Sequence, residues 1–309
     1  MPTGYAKRGY RLTAKRKRML AEGTWSPHEI NANVVNFPTH PPLSFSTPSL
    51  PDQPVKETDE RILSRINERF SILEEVIAGA IAGDIRSVII SGPAGVGKSF
   101  LLEKMLKEED PEGDNFTFVK GFVKATGLYK MLWEHRHENK ILVIDDADGI
   151  FFDTTSLNMM KAVLDSGSNR TVSYLSEYEM TDEEGEIIPR SFQFDGGMLF
   201  ISNLDFDALI NKGHKLGPHL QAIISRSMYI DLAMKTKRDC FLRVKDMIES
   251  GQMLTSLDAD QQEEVIEFIR ENMNNIRELS LRTALKVGQI RKSGNPRWKA
   301  IANITCCKN

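Results

Sequence analysis

Apolar positions along this 309-residue chain follow two rhythms, and the point where one gives way to the other divides the sequence. From Glu60 to Ala82, Ile62, Ile66, Phe70, Leu73, Val76 and Ile77 recur at the spacing of one helix face. Short, continuous apolar runs then alternate with helical segments. The runs at 88–91, 116–119, 141–144, 198–201 and 228–232 predict strands, with helices at 100–107, 127–138 and 158–164 between them. Such runs suit strands buried on both faces, so their order predicts an α/β layered sheet with helices on both faces. From Lys235 onward the pattern is helical only, at 236–249, 259–273, 280–292 and 296–305. The expected division is an α/β core over 59–234 and a small all-α domain over 235–309.

About thirty residues ahead of the strand at 198 exceed what a minimal layered core needs. Val172, Tyr174, Tyr178 and Met180 alternate, Thr181 to Glu186 supplies a turn, and Ile187 to Phe194 returns; this predicts a β-hairpin. Ahead of the first long helix, residues 24–58 hold more than half of the thirteen prolines and almost no periodicity, the composition of an extended linker. Before it lies a basic N-terminal arm, 1–23, in which Thr13 is placed to cap a short helix through Leu20.

Charge sharpens this division. The net charge of −3 conceals two basic ends on an acidic body. The arm carries Lys7, Arg8, Arg11 and the run Lys15 to Arg18 against Glu22 alone. Residues 279–309 carry Arg282, Lys286, Arg291, Lys292, Arg297, Lys299 and Lys308 with no acid. Basic ends suit an anionic partner, nucleic acid first, or else a solvated arm and an ordinary basic helix face. Cys240, Cys306 and Cys307 have neither zinc spacing nor a disulfide framework, which suits a reducing interior. His135 and His137 stand two apart, which separates them on a helix and argues against a metal site. The longest apolar runs are strand-length, so neither a membrane span nor a secretory leader is expected.

The chemistry concentrates behind the first strand. Residues 92–99 read Gly-Pro-Ala-Gly-Val-Gly-Lys-Ser and fit the phosphate-loop pattern G-x-x-x-x-G-K-[ST]. Gly92, Gly95 and Gly97, with Pro93, Ala94 and Val96 between them, let backbone N–H groups point inward at phosphate oxygens. Lys98 is expected to neutralise the β- and γ-phosphates, Ser99 to ligate Mg²⁺, and Phe100 to continue into a helix whose N-terminus favours the anion. The third strand ends in Asp145-Asp146. There Asp145 is expected to hold Mg²⁺ and Asp146 to orient or deprotonate the attacking water. ATP with Mg²⁺ is the ligand these P-loop NTPase features imply.

With these motifs in this order, residues 60–305 resemble the AAA+ ATPase superfamily. The resemblance implies that Asn203, ending the next core strand, positions the water. It implies that Arg226, just before the last strand, is an arginine finger reaching a neighbouring subunit's site. It implies that Arg282, behind a Ser280 cap, is a second sensor, and that 235–309 is a lid domain. A homo-oligomeric ring of six follows as the expected assembly. One departure stands out: the family usually has Asp-Glu where this chain has Asp145-Asp146. The shorter carboxylate implies slow turnover or a share of the role for Asp148.

The extra hairpin resembles the pre-sensor-1 hairpin of one AAA+ branch, which includes viral helicases and some protein unfoldases. Helicase hairpins of this kind commonly carry basic tips, whereas this tip holds Asp182, Glu183, Glu184 and Glu186, which would repel phosphate. The loop Lys124 to Tyr129 is a pore candidate, with Tyr129 either a substrate wedge or a core residue of the following helix. The texture is similar to AAA+ proteins of tailed phages, which implies the host cytoplasm. Three functions remain open: a nucleic-acid motor or loader, a protein remodeller, and a nucleotide-dependent assembly scaffold.

Overall fold

A computed structural model describes residues 57–308 apart from Ser168, Glu177, Tyr178, Glu183 and His214. The basic arm, nearly all of the linker, and the Tyr178 and Glu183 positions of the hairpin lie outside the described residues. Thr58 to Asn309 form one compact unit.

The unit opens with α1 (Asp59–Ile81), whose N-cap Thr58 accepts from the Arg61 amide. Its buried face is Ile62, Ile66, Phe70, Leu73 and Ile77, as the spacing predicts. The chain continues through β1 (Ser87–Ser91), α2 (Lys98–Glu109), β2 (Phe116–Lys120), α3 (Ala125–Glu134) and β3 (Ile141–Asp145). A 3₁₀ turn (Asp148–Phe152) leads to α4 (Thr154–Val163), which starts earlier than its apolar spacing indicates because Asp153 caps it through Ser156. The inserted segment forms β4 (Thr171–Ser173), β5 (Met180–Thr181), β6 (Ile187–Ile188) and β7 (Ser191–Gln193). Then follow β8 (Gly197–Ser202), α5 (Phe206–Asn211), α6 (Gly217–Ile224) and β9 (Met228–Asp231). Four helices complete the chain: α7 (Lys237–Glu249), α8 (Ala259–Glu271), α9 (Leu281–Lys292) and α10 (Trp298–Cys306).

Five strands form a parallel sheet in the order β2-β3-β8-β1-β9. The sheet splits the core because successive strand residues point to opposite faces. Val88, Ile90, Val143, Leu199 and Ile201 join α1, α2 and the four C-terminal helices in one hydrophobic cluster. Ile89, Leu142, Ile144, Met198 and Phe200 join α3, α4, α6 and the insertion in another. The fold is thus the α/β layered sheet expected, with helices on both faces.

The insertion is a hairpin in two steps, β4 pairing with β7 and β5 with β6, both antiparallel. Its base is fixed to α3 by Tyr129, which is fully buried. The Tyr129 ring lies 5.4 Å from Tyr174 and 5.1 Å from Phe192, and its hydroxyl donates to the Pro189 carbonyl at 2.9 Å. Of the two roles open to Tyr129, the structure selects the core residue. Lys124 to Tyr129 is not a loop either: Lys124 is the N-cap and α3 begins at Ala125. The same helix ends at Glu134 rather than 138, where His135 Nδ1 turns back to the Met131 carbonyl and Asn139 adopts a left-handed φ of 69°.

Tyr129→Ala is therefore expected to destabilise the protein by about 3–5 kcal/mol, as for other large core aromatics. Tyr129→Phe should cost about 1 kcal/mol through the lost hydrogen bond. Urea denaturation measures both; wild-type stability in Tyr129→Ala would contradict the packing role.

Candidate active site

The phosphate loop crosses from β1 to α2 with Gly95 and Gly97 in the left-handed region, at φ 68° and 105°. Gly95 is also sterically committed, since a Cβ there would stand 2.7 Å from the Ser280 Cβ. No side chain caps the N-terminus of α2, so its first amides are left for an anion. Val96 is buried beneath the loop, and Phe100 projects from α2 with 70% of its surface exposed.

Lys98 is buried and donates from Nζ to the Gly92 carbonyl (2.6 Å), the Pro93 carbonyl (2.8 Å) and Asn203 Oδ1 (2.9 Å). Burial pulls its pKa down to about 8, against the opposing pull of Asp146, Asp145 and Asp148. Asn203 extends from the end of β8 and bridges two groups, because its Nδ2 donates to Asp146 Oδ1 at 2.7 Å. Asp146 has a left-handed φ of 54°, a conformation that Asp tolerates better than most residues, and its side chain is exposed. Asp145, at the tip of β3, is buried and accepts from Ser99 Oγ at 2.9 Å.

A cavity of about 440 Å³ opens beside these groups; Asp145 is not in its lining and is linked to it through Ser99. Lys98, Ser99, Asp146, Asn203 and Arg282 line its polar end, with Gly95, Gly97 and Phe100 beside them. Arg282 arrives on α9, which Ser280 caps through the Thr283 amide, and the Leu281 amide donates to the Gly95 carbonyl at 2.8 Å. The sequence motifs do not mark the opposite end, where Phe70, Met247, Leu254 and Leu285 supply apolar wall. There the Arg243 guanidinium lies 4.0 Å from the centre of the Phe70 ring. Phe70 is visible in the sequence only as a core position of α1, and nothing local marks Arg243 or Leu254.

Two residues stand apart. Arg226 donates to the Ala222 carbonyl at 2.8 Å and does not line the cavity of its own chain. Asp148 accepts from Ser202 Oγ at 2.6 Å and is likewise outside the lining. Among the described residues no group of three or more His, Cys, Asp and Glu could hold a metal ion. Ser99 and Asp145 nevertheless form a hard-oxygen pair of the kind Mg²⁺ uses together with ligand phosphates.

The strand order, the glycine loop entering α2 and the acidic tip of β3 define the class, a P-loop NTPase fold. Sequence comparison gives the family. Over 251 residues the chain is 39% identical to the "uncharacterized 36.7 kDa protein in nrdC-mobD intergenic region" of Enterobacteria phage T4, covering 80% of this chain and 76% of that protein. The chain belongs to the family of that phage protein. No family model matches. Solved structures overlap less closely. The Thermotoga maritima RuvB Holliday junction branch migration motor is 14% identical with a TM-score of 0.44, over 78% of this chain and 68% of its own. NtrX from Brucella abortus in complex with ATP is 13% identical with a TM-score of 0.39, over 77% and 64%. At these levels nothing of those proteins' activities follows for this chain.

The low pKa of Lys98 carries a pH signature. A bound phosphate requires the charged ammonium, whereas the free site releases that proton near pH 8. Nucleotide affinity should be flat below pH 8 and fall toward tenfold per pH unit above it. Titrating a fluorescent ATP analogue from pH 7.5 to 9.5 tests this; a profile still flat at pH 9 would show that Lys98 keeps its proton there and would overturn the lowered pKa.

Proposed function

We propose that this chain hydrolyses ATP as a subunit of a ring and that the ring acts on nucleic acid. The observation that carries the ATPase reading is the continuous link Lys98–Asn203–Asp146 at one end of the cavity, beside Ser99–Asp145. The carbonyls of Gly92 and Pro93 engage the Lys98 ammonium. On binding, Lys98 exchanges them for β- and γ-phosphate oxygens, and the free amides of α2 take the remaining charge. Ser99 and Asp145 would hold Mg²⁺, which when bound would supply positive charge to the phosphates. Asp146, oriented by Asn203, positions and deprotonates the water. Arg282 reaches the phosphates from α9. The apolar end at Phe70, Met247 and Leu254 receives the base.

Arg226 has no role in its own cavity, which supports its use as a finger in the neighbouring subunit's site. Six subunits are the proposed number. Asp148, already engaged by Ser202, is a poor substitute base, so the short Asp146 carboxylate favours slow turnover.

The nucleic-acid reading rests on the basic ends. In the C-terminal one, Lys286, Lys292, Arg297, Lys299 and Lys308 face solvent, whereas Arg291 pairs with Glu264. The hairpin favours the second reading, a protein remodeller. Leu175 and Ile187 are 83% and 60% exposed on it, beside exposed Glu184 and Glu186. An apolar and acidic element suits a polypeptide better than phosphate. No helix among the described residues is long and apolar enough to cross a membrane. The phage relative fits a place in the host cytoplasm.

Asp146→Asn should retain ATP binding and lose turnover. Arg226→Ala should retain binding and slow hydrolysis by about 10³-fold or more. Mixing Lys98→Ala subunits into wild type tests action in trans, since a rate per subunit that persists in dilute monomer would exclude it. ATPase rates with single-stranded DNA, double-stranded DNA and unfolded protein separate the substrates. Deleting residues 1–23 should weaken DNA binding and flatten its salt dependence with little change in basal ATPase. Stimulation by unfolded protein alone would transfer the assignment to remodelling.

A further inference from the structure

Asp145 has a second partner that the proposed chemistry does not use. Lys120 is the last residue of β2, and the parallel register sets it directly beside Asp145. Its Nζ lies 3.5 Å from Asp145 Oδ2, while Ser99 engages Oδ1. The pair is unequal: the Asp145 side chain is 3% exposed and the Lys120 side chain 56%. The carboxylate is held almost wholly out of water, whereas the lysine is half exposed and can swing out at little desolvation cost.

Lys120 also leads straight into an exposed element. Gly121 follows with a left-handed φ of 90°, and Phe122 after it is 80% exposed. The Phe122 ring sits close to Gly149, where an added Cβ would lie 3.8 Å from it. The ion pair at the site and the aromatic at the surface are thus two residues apart on one short connection between β2 and α3.

We infer that Lys120 is the resident counter-ion of Asp145 and yields to Mg²⁺, so that metal loading is relayed to the Phe122 loop. This rests on the reading that Ser99 and Asp145 hold the metal. A buried carboxylate left unpaired is costly, which gives the lysine its place when no metal is bound. A divalent cation on the same carboxylate repels an ammonium at this range, so the two compete for it. Lys120 is therefore a positioning residue, acting on Asp145 and through it on the metal.

The test uses the full-length protein and the Mg²⁺ concentration giving half-maximal binding of a fluorescent, non-hydrolysable ATP analogue. Lys120→Met should lower that midpoint by roughly fivefold through removal of the competing charge, and Lys120→Arg should restore the wild-type value. Asp145→Asn should raise it at least about tenfold. An unchanged or raised midpoint in Lys120→Met, with Asp145→Asn still raising it, would overturn the counter-ion role and leave the metal reading standing. No effect of Asp145→Asn would remove the metal reading itself. The relay has its own readout. Cys240, Cys306 and Cys307 are buried, so a thiol introduced as Phe122→Cys is the accessible one. Its labelling rate should change at least about threefold on adding Mg²⁺ with the analogue, a response that Lys120→Met should abolish. The same response in both backgrounds would overturn the relay.

Discussion

A buried ammonium must have acceptors, and the site is built around that of Lys98. Its charge sits at the C-terminal edge of a sheet whose central strands are apolar on both faces. The loop's own carbonyls and Asn203 accept its hydrogen bonds. Burial is what costs basicity, hence the pKa near 8, while these acceptors hold the ammonium at the mouth of the phosphate loop. Asn203 then ties that position to Asp146, so the phosphate partner and the proposed base are oriented by one side chain from β8.

The sheet explains how such a concentration of charge is tolerated. Each strand carries apolar side chains to both faces, and polar chemistry begins only where the strands stop. Asp145, Asn203 and the glycine loop all sit at strand ends, where parallel crossovers leave a crevice. The face carrying α1 and α2 also packs the C-terminal helices into the same hydrophobic cluster. Consequently Arg282 and the apolar end of the cavity are held against the phosphate loop. The contact of Leu281 with Gly95 makes α9 respond to any movement of that loop.

On the opposite face, the hairpin and α3 are joined by Tyr129, Tyr174, Phe192 and Trp133, with the Trp133 indole also donating to Asp182. The base of the hairpin is thereby braced against α3 by packed aromatic rings. The same clustering removes Tyr129 from the surface and leaves Phe122 as the exposed aromatic ahead of α3.

Much of this was legible in the chain alone, for a physical reason. Strand order, most of the helices, the hairpin and the phosphate loop are written in local spacing, whereas the short helices α5 and α6 between β8 and β9 are not marked by it. A glycine-rich turn between a buried strand and a helix has few other uses. Asp145 could be read because it ends an apolar strand, and Ser280 because a serine ahead of a helical run is a natural cap. Local spacing is silent on what meets across the fold. Tyr129 fits a loop or a core equally until Pro189, sixty residues later, is known to accept its hydroxyl. Phe70, Arg243 and Leu254 come from three separate elements and share the cavity only after packing. Lys120 reads as an ordinary strand-end lysine until register sets it beside Asp145. Sequence determined the elements and the chemistry each carries; tertiary structure decided which of those groups share a dielectric environment, because charge pairing and burial depend on distance in space.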